Sequence, residues 1–446
     1  MVLEIVQNNI SWDNKLTNIS SAHSNSPGFA KAKELEKYYP GITRPVALES
    51  IPMLEGKLKA PKYLIDENAP SRVNVLLPQL DPLLMFGGYI SCLQFIRSLQ
   101  KKGLQVRIVL CDSGKFDRAA VERKLASNTA LCRAIAAAEV ENITLDDTKL
   151  VISPSDAFIC YSFWTGIKAH HLAQAIGKKF IFFLQEYEAI FHSHDSMHAV
   201  SSYVYRLPHR AIFNTKLLAD SFKSKNSGVF GQYQGKELAN HWVSFQHALT
   251  PTVPPTLSEL KQRKTKRFLL YGRPEAHASR NMFEIAIIGL RMAIERGYFD
   301  EDWEFHGVGT LGPEYDVDLG SGRTLALRGT LPQGSYGAAL GKYDIGMSLM
   351  LAPHPSILPF EMASAGQIVV TNSFESRTAD VLRSISGNIE PCEADPFSVA
   401  ESLAKAVVRS ADLDGRVEGA NLDWVRDWDQ SFNEEVMAKI IKMVRA

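Results

Sequence analysis

The chain has 446 residues, 45% of them hydrophobic and 22% charged, with 49 basic and 49 acidic side chains. That length exceeds one ordinary hydrophobic core and predicts two globular domains with appendages. A formal charge of zero gives no support to a general nucleic-acid or polyanion binder, although a local basic pocket for a diphosphate remains compatible with it.

Residues 1 to about 70 are polar, with Ser/Asn/Pro/Lys-rich patches, and read as an irregular or partly helical extension. A buried strand at 72–78 then leads through a Gly-containing loop into an apolar helix from Gly88 to about Lys102. Gly103 caps that helix and a strand at 106–111 follows, which makes a βαβ unit of the parallel-sheet type. A strand at 157–161, a helix at 166–176, a strand at 180–184, a helix near 196–206, a strand at 211–214 and a helix from Thr215 continue the alternation. The Pro-rich stretch 251–255 and the basic run 261–267 read as an interdomain linker, the basic run as a solvated connector. A second series starts at 268–272, with a helix at 281–296, strands near 303–307, 324–328, 344–349 and 368–371, and helices near 397–409 and 430–445. The fold class is therefore α/β: two doubly wound domains, 71–255 and 256–429, with ligand sites at the C-terminal ends of their strands.

Five clusters sit at such ends. Gly87-Gly88 follows the first strand, where backbone N–H groups at a helix N-terminus can approach an anion; a tight turn explains the pair as well. Tyr271-Gly272-Arg273-Pro274 with Ser279-Arg280-Asn281 places two guanidiniums in a loop before a helix, which suits a diphosphate, whereas Ser279 or Asn281 alone would be a helix cap. Gln185-Glu186-Tyr187-Glu188 puts two carboxylates beside an aromatic, fit for sugar hydroxyls or acid/base work, or else for capping a loop helix. Trp164 offers an apolar face to a sugar ring, though such a Trp is commonly core. Lastly, the stretch from Pro353-His354-Pro355-Ser356 through Glu361 to Gly366 is a Pro-rich loop, a short helix carrying a carboxylate and a Gly stop; dipole compensation by Glu361 and a C-cap at Gly366 account for the same letters.

Other signals exclude more than they include. His194 and His198 are spaced for one helical face, but no HExxH, GxSxG or GxxxxGK(S/T) occurs, and no metal site is expected. Cys92, Cys111, Cys132, Cys160 and Cys392 are scattered without CxxC and read as reduced thiols of a cytoplasmic protein. The N-terminus lacks the pattern of a secretory signal, and no run of about 18 apolar residues predicts a membrane span. Peripheral association with the inner face of a membrane stays open, as does the oligomeric state.

Taken in order, Met85-Phe86-Gly87-Gly88, the Gln185–Glu188 cluster, residues 212–218, Tyr271–Pro274 with residues 280–284, and Pro353–Ser356 with Glu361-Met362-Ala363 resemble the WsaF-type rhamnosyltransferases. These are enzymes of the GT-B fold grouped with glycosyltransferase family four, and the resemblance covers residues 72 to about 440. It implies two Rossmann-like domains facing across a cleft, with a C-terminal helix at 430–446 completing the N-terminal domain. It further implies transfer of a sugar, L-rhamnose from dTDP-L-rhamnose, onto a growing glycan such as a cell-surface polysaccharide, with no cofactor, metal or nucleic-acid partner. Glu361 would bind the ribose. Arg273, Arg280 and the Gly87-Gly88 backbone would stabilise the leaving diphosphate, and the base would lie by Arg328-Gly329-Thr330. Trp164, Glu186, Tyr187 and Glu188 would face the acceptor. With retention of configuration the donor phosphate would take the acceptor proton; with inversion Glu186 or Glu188 becomes the candidate base. Many family-four enzymes carry Glu-x7-Glu in the donor loop, whereas Pro353 occupies the first position here; His354 or the backbone through Ser356 would meet the sugar instead. A GT-B nucleotide-sugar epimerase and a non-catalytic nucleotide-sugar or glycan-binding subunit are the alternatives.

Overall fold

The computed structural model describes residues 46–446 apart from Phe86, Lys115, Ser127, 145–147 and 332–334. Most of the extension expected over residues 1–70 thus lies outside the described residues. Its described end is a helix at Val46–Leu58, in a unit distinct from residues 60–446, and a strand at Tyr63–Ile65 that pairs in parallel with Leu150–Ile152.

Residues 60–446 form one compact unit that contains two seven-stranded sheets. The first is built from β1 (Val73–Leu77), α1 (Gly87–Lys101), β2 (Val106–Leu110), β3 (Glu139–Asn142), β4 (Ala157–Cys160), α2 (Phe163–Ala175), β5 (Phe180–Leu184), α3 (Ser196–Val204), β6 (His209–Asn214), α4 (Lys216–Ser224) and β7 (Trp242–Phe245). Its strand order is β3-β2-β1-β4-β5-β6-β7, all parallel. Every residue of β1, β2 and β5 is buried, because helices cover both faces of a parallel sheet and the strands become continuous apolar runs.

The second sheet uses β8 (Lys266–Tyr271), α5 (Phe283–Glu295), β9 (Trp303–Val308), β10 (Tyr315–Gly320), β11 (Arg323–Arg328), α6 (Tyr336–Leu340), β12 (Ile345–Met347), α7 (Leu358–Ser364), β13 (Ile368–Asn372), β14 (Ile389–Cys392) and α8 (Pro396–Ser410). Its order is β10-β11-β9-β8-β12-β13-β14, with only β10 antiparallel among the described strands. In both sheets the strand order reverses beside the first strand, between β1 and β4 and between β8 and β12. Crevices open at such points, beyond the C-terminal ends of the strands. Gly87-Gly88 and Trp164 border the first crevice by sequence, Arg273 and the Pro353 loop the second.

Besides the short pair Tyr63–Ile65 and Leu150–Ile152, four strands of the two large sheets escape the sequence reading: β3, β7, β10 and β14. All are edge strands, and their letters are polar (Glu-Val-Glu-Asn in β3), largely exposed (β10) or interrupted by Pro391 (β14), so the apolar run that marks a central strand is missing. The basic run 261–267 also needs correction. Lys266 and Arg267 already belong to β8, and Arg263 holds Asp344 at 2.8 Å and the Tyr343 carbonyl. The run enters the second domain; it is not a solvated connector.

A final helix, α9 (Glu434–Arg445), returns to the first domain. Met437, Ile440, Met443 and Val444 share one helical face and join the core of Phe95, Phe183 and Phe245. Each such side chain, fully buried, contributes on the order of 1.5–3 kcal/mol. The two crossings between domains lie side by side: Leu249 N–H donates to Val425 O at 3.0 Å, and Trp424 Nε1–H to His247 O at 2.7 Å.

Candidate functional site

Glu361 sits in the first turn of α7, whose sequence begins with Pro359 near its start and stops at Gly366 with φ +83°. That left-handed backbone favours glycine and turns the chain directly into β13. The carboxylate is buried, and its two oxygens are engaged: Thr250 N–H donates to Oε1 at 2.9 Å and the Tyr336 hydroxyl to Oε2 at 2.6 Å. Burial raises its pKa, while these two donors act the other way. Two donors leave a carboxylate with spare lone pairs, so the group can still accept from a ligand diol.

Before α7 runs the loop Met350–Ser356. Three groups hold it. Asn372 brackets Met350, accepting its N–H at 2.7 Å and donating to its carbonyl at 3.0 Å. Arg377, fully buried, donates from Nη2 to Met350 O at 2.6 Å and from Nη1 to Pro355 O at 3.1 Å. His354 Nδ1 accepts from Ser356 N–H at 3.2 Å, and Ser356 itself has a left-handed φ of +58°. Burial first, then the nearby His247, Arg377 and Arg280, pushes the His354 pKa well down, so the ring is neutral; with Nδ1 accepting, the proton is on Nε2. That Nε2 is buried and makes no hydrogen bond among the described residues.

Arg273 and Arg280 follow β8. Arg273 is buried and donates to His277 Nε2 at 2.7 Å; Arg280 donates to the His277 carbonyl at 3.3 Å and lies over the Phe191 ring at 4.7 Å, touching the first domain. Neither Nε makes a hydrogen bond among the described residues. Burial lowers the Arg280 pKa, with Glu186 opposing. Three buried or half-buried guanidiniums, those of Arg273, Arg280 and Arg377, thus meet little carboxylate: Glu275 stands 4.0 Å from Arg273, and Glu186 exerts its pull on the other two. Such an excess of cation is what a dianionic ligand balances.

The first domain brings Gly87-Gly88, Glu186 and a polar cluster to the same cleft. Gly88 starts α1 so closely against Tyr161 that a Cβ would stand 2.6 Å from the hydroxyl. Gln185, Asn214 and His247 form a chain beside it, Asn214 Nδ2 donating to Gln185 Oε1 at 2.8 Å and standing 3.1 Å from His247 Nδ1. Burial drives the His247 pKa down to about 3. Glu186 Oε1 accepts from Tyr187 N–H at 2.9 Å and, across the cleft, from His354 N–H at 3.2 Å. Burial raises its pKa to about 7 against those bonds and Arg280.

The neighbouring candidates are placed otherwise. Glu188 is buried beneath the loop; its Oε2 accepts Phe163 N–H at 2.7 Å, which caps the N-terminus of α2, and burial raises its pKa to about 8. It serves the scaffold, contrary to the base reading. Trp164 is 1% exposed and packed on Phe163 at 4.2 Å, so it presents no face to an acceptor. Tyr187 stacks on Tyr205 at 5.1 Å with Lys225 over its ring at 4.8 Å, its aromatic surface spent inside the first domain. Arg328 lies at the C-terminal end of β11, but its guanidinium pairs with Asp316 at 2.9 Å and Glu314 at 3.5 Å on the edge strand. The Arg328 and Gly329 carbonyls accept from Gly309 N–H, at 3.2 and 3.4 Å. The structure therefore gathers Gly87, Gly88, Arg273, Arg280, His354, Ser356 and Glu186 with its loop, keeps Glu361 at the start of α7, and leaves Trp164 and Glu188 in the core. His194 and His198 stack at 4.7 Å, and no group of three His, Cys, Asp or Glu among the described residues could hold a metal ion.

Sequence reasoning missed Arg377, Tyr336, Tyr161 and His247, and quoted Gln185 and Asn214 only within longer runs, without the hydrogen bond that joins them. Asn214 and Gln185 each end a strongly apolar strand, which was a usable signal; Arg377 lies in a loop with no pattern around it.

Residues 72–216 match the N-terminal domain of WsaF and residues 266–404 its C-terminal domain. The chain belongs to the WsaF family. Its two sheets give it the GT-B fold, as the solved structures it resembles also show. HepE of Anabaena, crystallised with UDP-glucose, superposes with a TM-score of 0.53 at 12% identity, over 84% of this chain and 98% of that one. TarM of S. aureus, crystallised with fondaparinux, alpha-GlcNAc-glycerol and UDP, gives 0.56 at 9% identity, over 84% and 100%. Among curated proteins, the O-antigen biosynthesis protein RfbC of Myxococcus xanthus is 31% identical over 235 residues, which are 52% of this WsaF-family chain and 16% of RfbC. The chain thus spans a small part of that relative's length.

Proposed function

We propose that this WsaF-family chain is a glycosyltransferase of polysaccharide biosynthesis that moves a sugar from a nucleoside diphosphate donor to a glycan acceptor. The observation that carries the reading is the concentration of cation after the first strand of the second sheet, where Arg273 and Arg280 each keep a buried Nε without a hydrogen bond among the described residues. A leaving diphosphate develops negative charge, and preorganised guanidiniums and helix N–H groups stabilise it without reorganisation. The Gly87-Gly88 start of α1 permits the close backbone approach this requires. Glu361, oriented by Thr250 and Tyr336, takes the ribose hydroxyls; the carbonyl-lined end of β11 by Gly329 takes the base.

Pro353 stands at the first carboxylate position of the family pattern, and the neutral His354 Nε2–H beside it in sequence is the group proposed to meet the sugar instead. A neutral donor at this position suits a hydroxyl acceptor atom of the sugar, and a 6-deoxyhexose such as L-rhamnose, carried as dTDP-L-rhamnose, is the donor proposed from the family resemblance. Support for the glycan acceptor comes from TarM and from RfbC, whose names tie them to glycan ligands and O-antigen synthesis. Glu186 is the carboxylate of the first domain that reaches the cleft, and with its pKa raised to about 7 it is the candidate base for an inverting reaction. No metal or cofactor is assigned a part.

Calorimetric titration with dTDP, UDP and GDP tests the site. The wild-type chain is expected to bind one of them selectively, and Arg273→Ala and Glu361→Ala to weaken that binding. Undiminished affinity in both variants removes the assignment.

A further inference from the structure

The segment after β13 carries neither a sequence motif nor an assigned role, yet it touches both halves of the site. Phe374 and Arg377 exchange backbone hydrogen bonds, Phe374 N–H to Arg377 O at 3.0 Å and Arg377 N–H to Phe374 O at 2.9 Å. This closes a tight turn with Glu375 and Ser376 at its tip. Glu375 holds a left-handed φ of +50°, a conformation that a non-glycine residue adopts where the surroundings fix it.

The tip reaches the first domain. Glu375 Oε2 accepts from the Ser221 hydroxyl on α4, and Oε1 pairs with Lys225 Nζ at 2.6 Å. The Ser376 hydroxyl donates to Leu217 O, also on α4, at 2.7 Å. The base of the turn reaches the donor loop instead: Arg377 spans Met350 O and Pro355 O, the two ends of the stretch that carries His354. A guanidinium with no exposed surface and, among the described residues, no carboxylate in contact is costly to bury, and here its planar fork matches two carbonyls that a lysine could not grip together.

We propose that the turn Phe374–Arg377 couples domain closure to the donor loop: Glu375 and Ser376 read the position of α4, and Arg377, a positioning residue, sets Met350–Pro355 accordingly. The donor-loop role rests on the glycosyltransferase reading; the mechanical link does not. With the first domain in place, the turn is held from both sides and His354 N–H meets Glu186. With α4 withdrawn, the tip loses its partners and the loop loses its alignment.

Two measurements test this. Hydrogen exchange reads the link without any substrate. Glu375→Ala removes only contacts at a partly exposed surface, and exchange of the Met350, Leu351 and Ser356 amides is expected to speed about tenfold; unchanged protection there overturns the coupling. Kinetics read the positioning. Arg377→Lys is expected to lower kcat tenfold or more while affinity for the free nucleoside diphosphate changes less than threefold, and the Glu375→Ala, Arg377→Lys double variant to lose no more than Arg377→Lys alone. Full turnover in Arg377→Lys, or losses that multiply in the double variant, overturns the proposal. If Arg377→Lys does not fold, kcat of Glu375→Ala decides: a severalfold drop at unchanged nucleotide affinity supports the coupling and wild-type kcat rejects it. A wild-type chain that binds no nucleoside diphosphate instead defeats the functional reading, and the exchange experiment still stands or falls by itself.

Discussion

The two sheets share one order of six parallel strands, differ in the edge strand each adds, and diverge in what their domains do with charge. In the second domain, Arg273, Arg280 and Arg377 remain short of carboxylate partners, and Glu361 is oriented by two donors. In the first, the charged and aromatic letters that look functional are largely absorbed: Glu188 caps α2, Trp164 fills the core, and Tyr187 stacks on Tyr205. The same architecture thus gathers unbalanced cation on one side and, on the other, a largely neutral polar group of Tyr161, Gln185, Asn214 and His247 with Glu186 at the boundary. A conserved ligand group such as a nucleoside diphosphate needs fixed charge; a sugar hydroxyl needs neutral donors and acceptors.

The sharpest test of this contrast is pH, because Glu186 and Glu188 behave alike in solution and differently in role. Unfolded, each carboxyl ionises at about its ordinary value; folded, Glu188 ionises at about 8. Between those values the folded chain binds more protons, so stability falls as pH rises, by about 1.4 kcal/mol per unit. Glu188→Gln is therefore expected to remove as much as ~4 kcal/mol of this loss at pH 8. A thermal-melting series from pH 5 to 9 measures it. Turnover of Glu188→Gln should stay near wild type, whereas Glu186→Gln should lose both turnover and the pH dependence near 7; loss of turnover in Glu188→Gln alone would return it to the catalytic list.

Arg273→Ala comes next. Removing a charge-assisted donor that lies within a cation-rich cleft costs about 1.5–3 kcal/mol, on the order of 10- to 100-fold in nucleoside diphosphate affinity. The melting temperature should hardly move, since among the described residues the side chain's polar contacts are His277 and a distant Glu275. A large drop in melting temperature with full affinity would make Arg273 a structural residue. Glu361→Ala is expected to act on both: it strips acceptors from Thr250 N–H and the Tyr336 hydroxyl, costing about 1–3 kcal/mol of stability, and weakens nucleotide binding roughly tenfold. Glu361→Gln, which keeps one acceptor, separates the two effects.

Legibility in the sequence follows the same divide. Central strands such as β5 are continuous apolar runs and could be read directly; edge strands such as β3 carry Glu and Asn because one side is unpaired, and they could not. The positions of Arg273 after a strand and of Glu361 in the first turn of a helix were legible, because a charge at either place has a short list of uses. Glu188 and Trp164 misled for one reason: burial is a tertiary property, and the letters of a loop cap and a core aromatic are those of a binding site. Arg377 was invisible, since its partners are carbonyls 22 and 27 positions earlier in the chain and carbonyls carry no sequence signal.

Arg328 offers the finest cut between the two kinds of charge. It stands at a strand end in the second domain, as Arg273 does, and yet it is 44% exposed and paired with Asp316 and Glu314 on the antiparallel edge. Exposed pairs contribute about 0–1 kcal/mol, because water screens them and holding two long side chains costs entropy. Arg328→Ala should therefore shift stability by less than about 1 kcal/mol and leave nucleotide affinity within twofold, since the base is proposed to meet the Gly329 backbone and not this guanidinium. A discrimination assay between dTDP, UDP and GDP on the variant is the check. Changed selectivity at unchanged stability would mean that the guanidinium leaves its edge partners when the nucleotide binds, and that free charge at a strand end marks the ligand in both places.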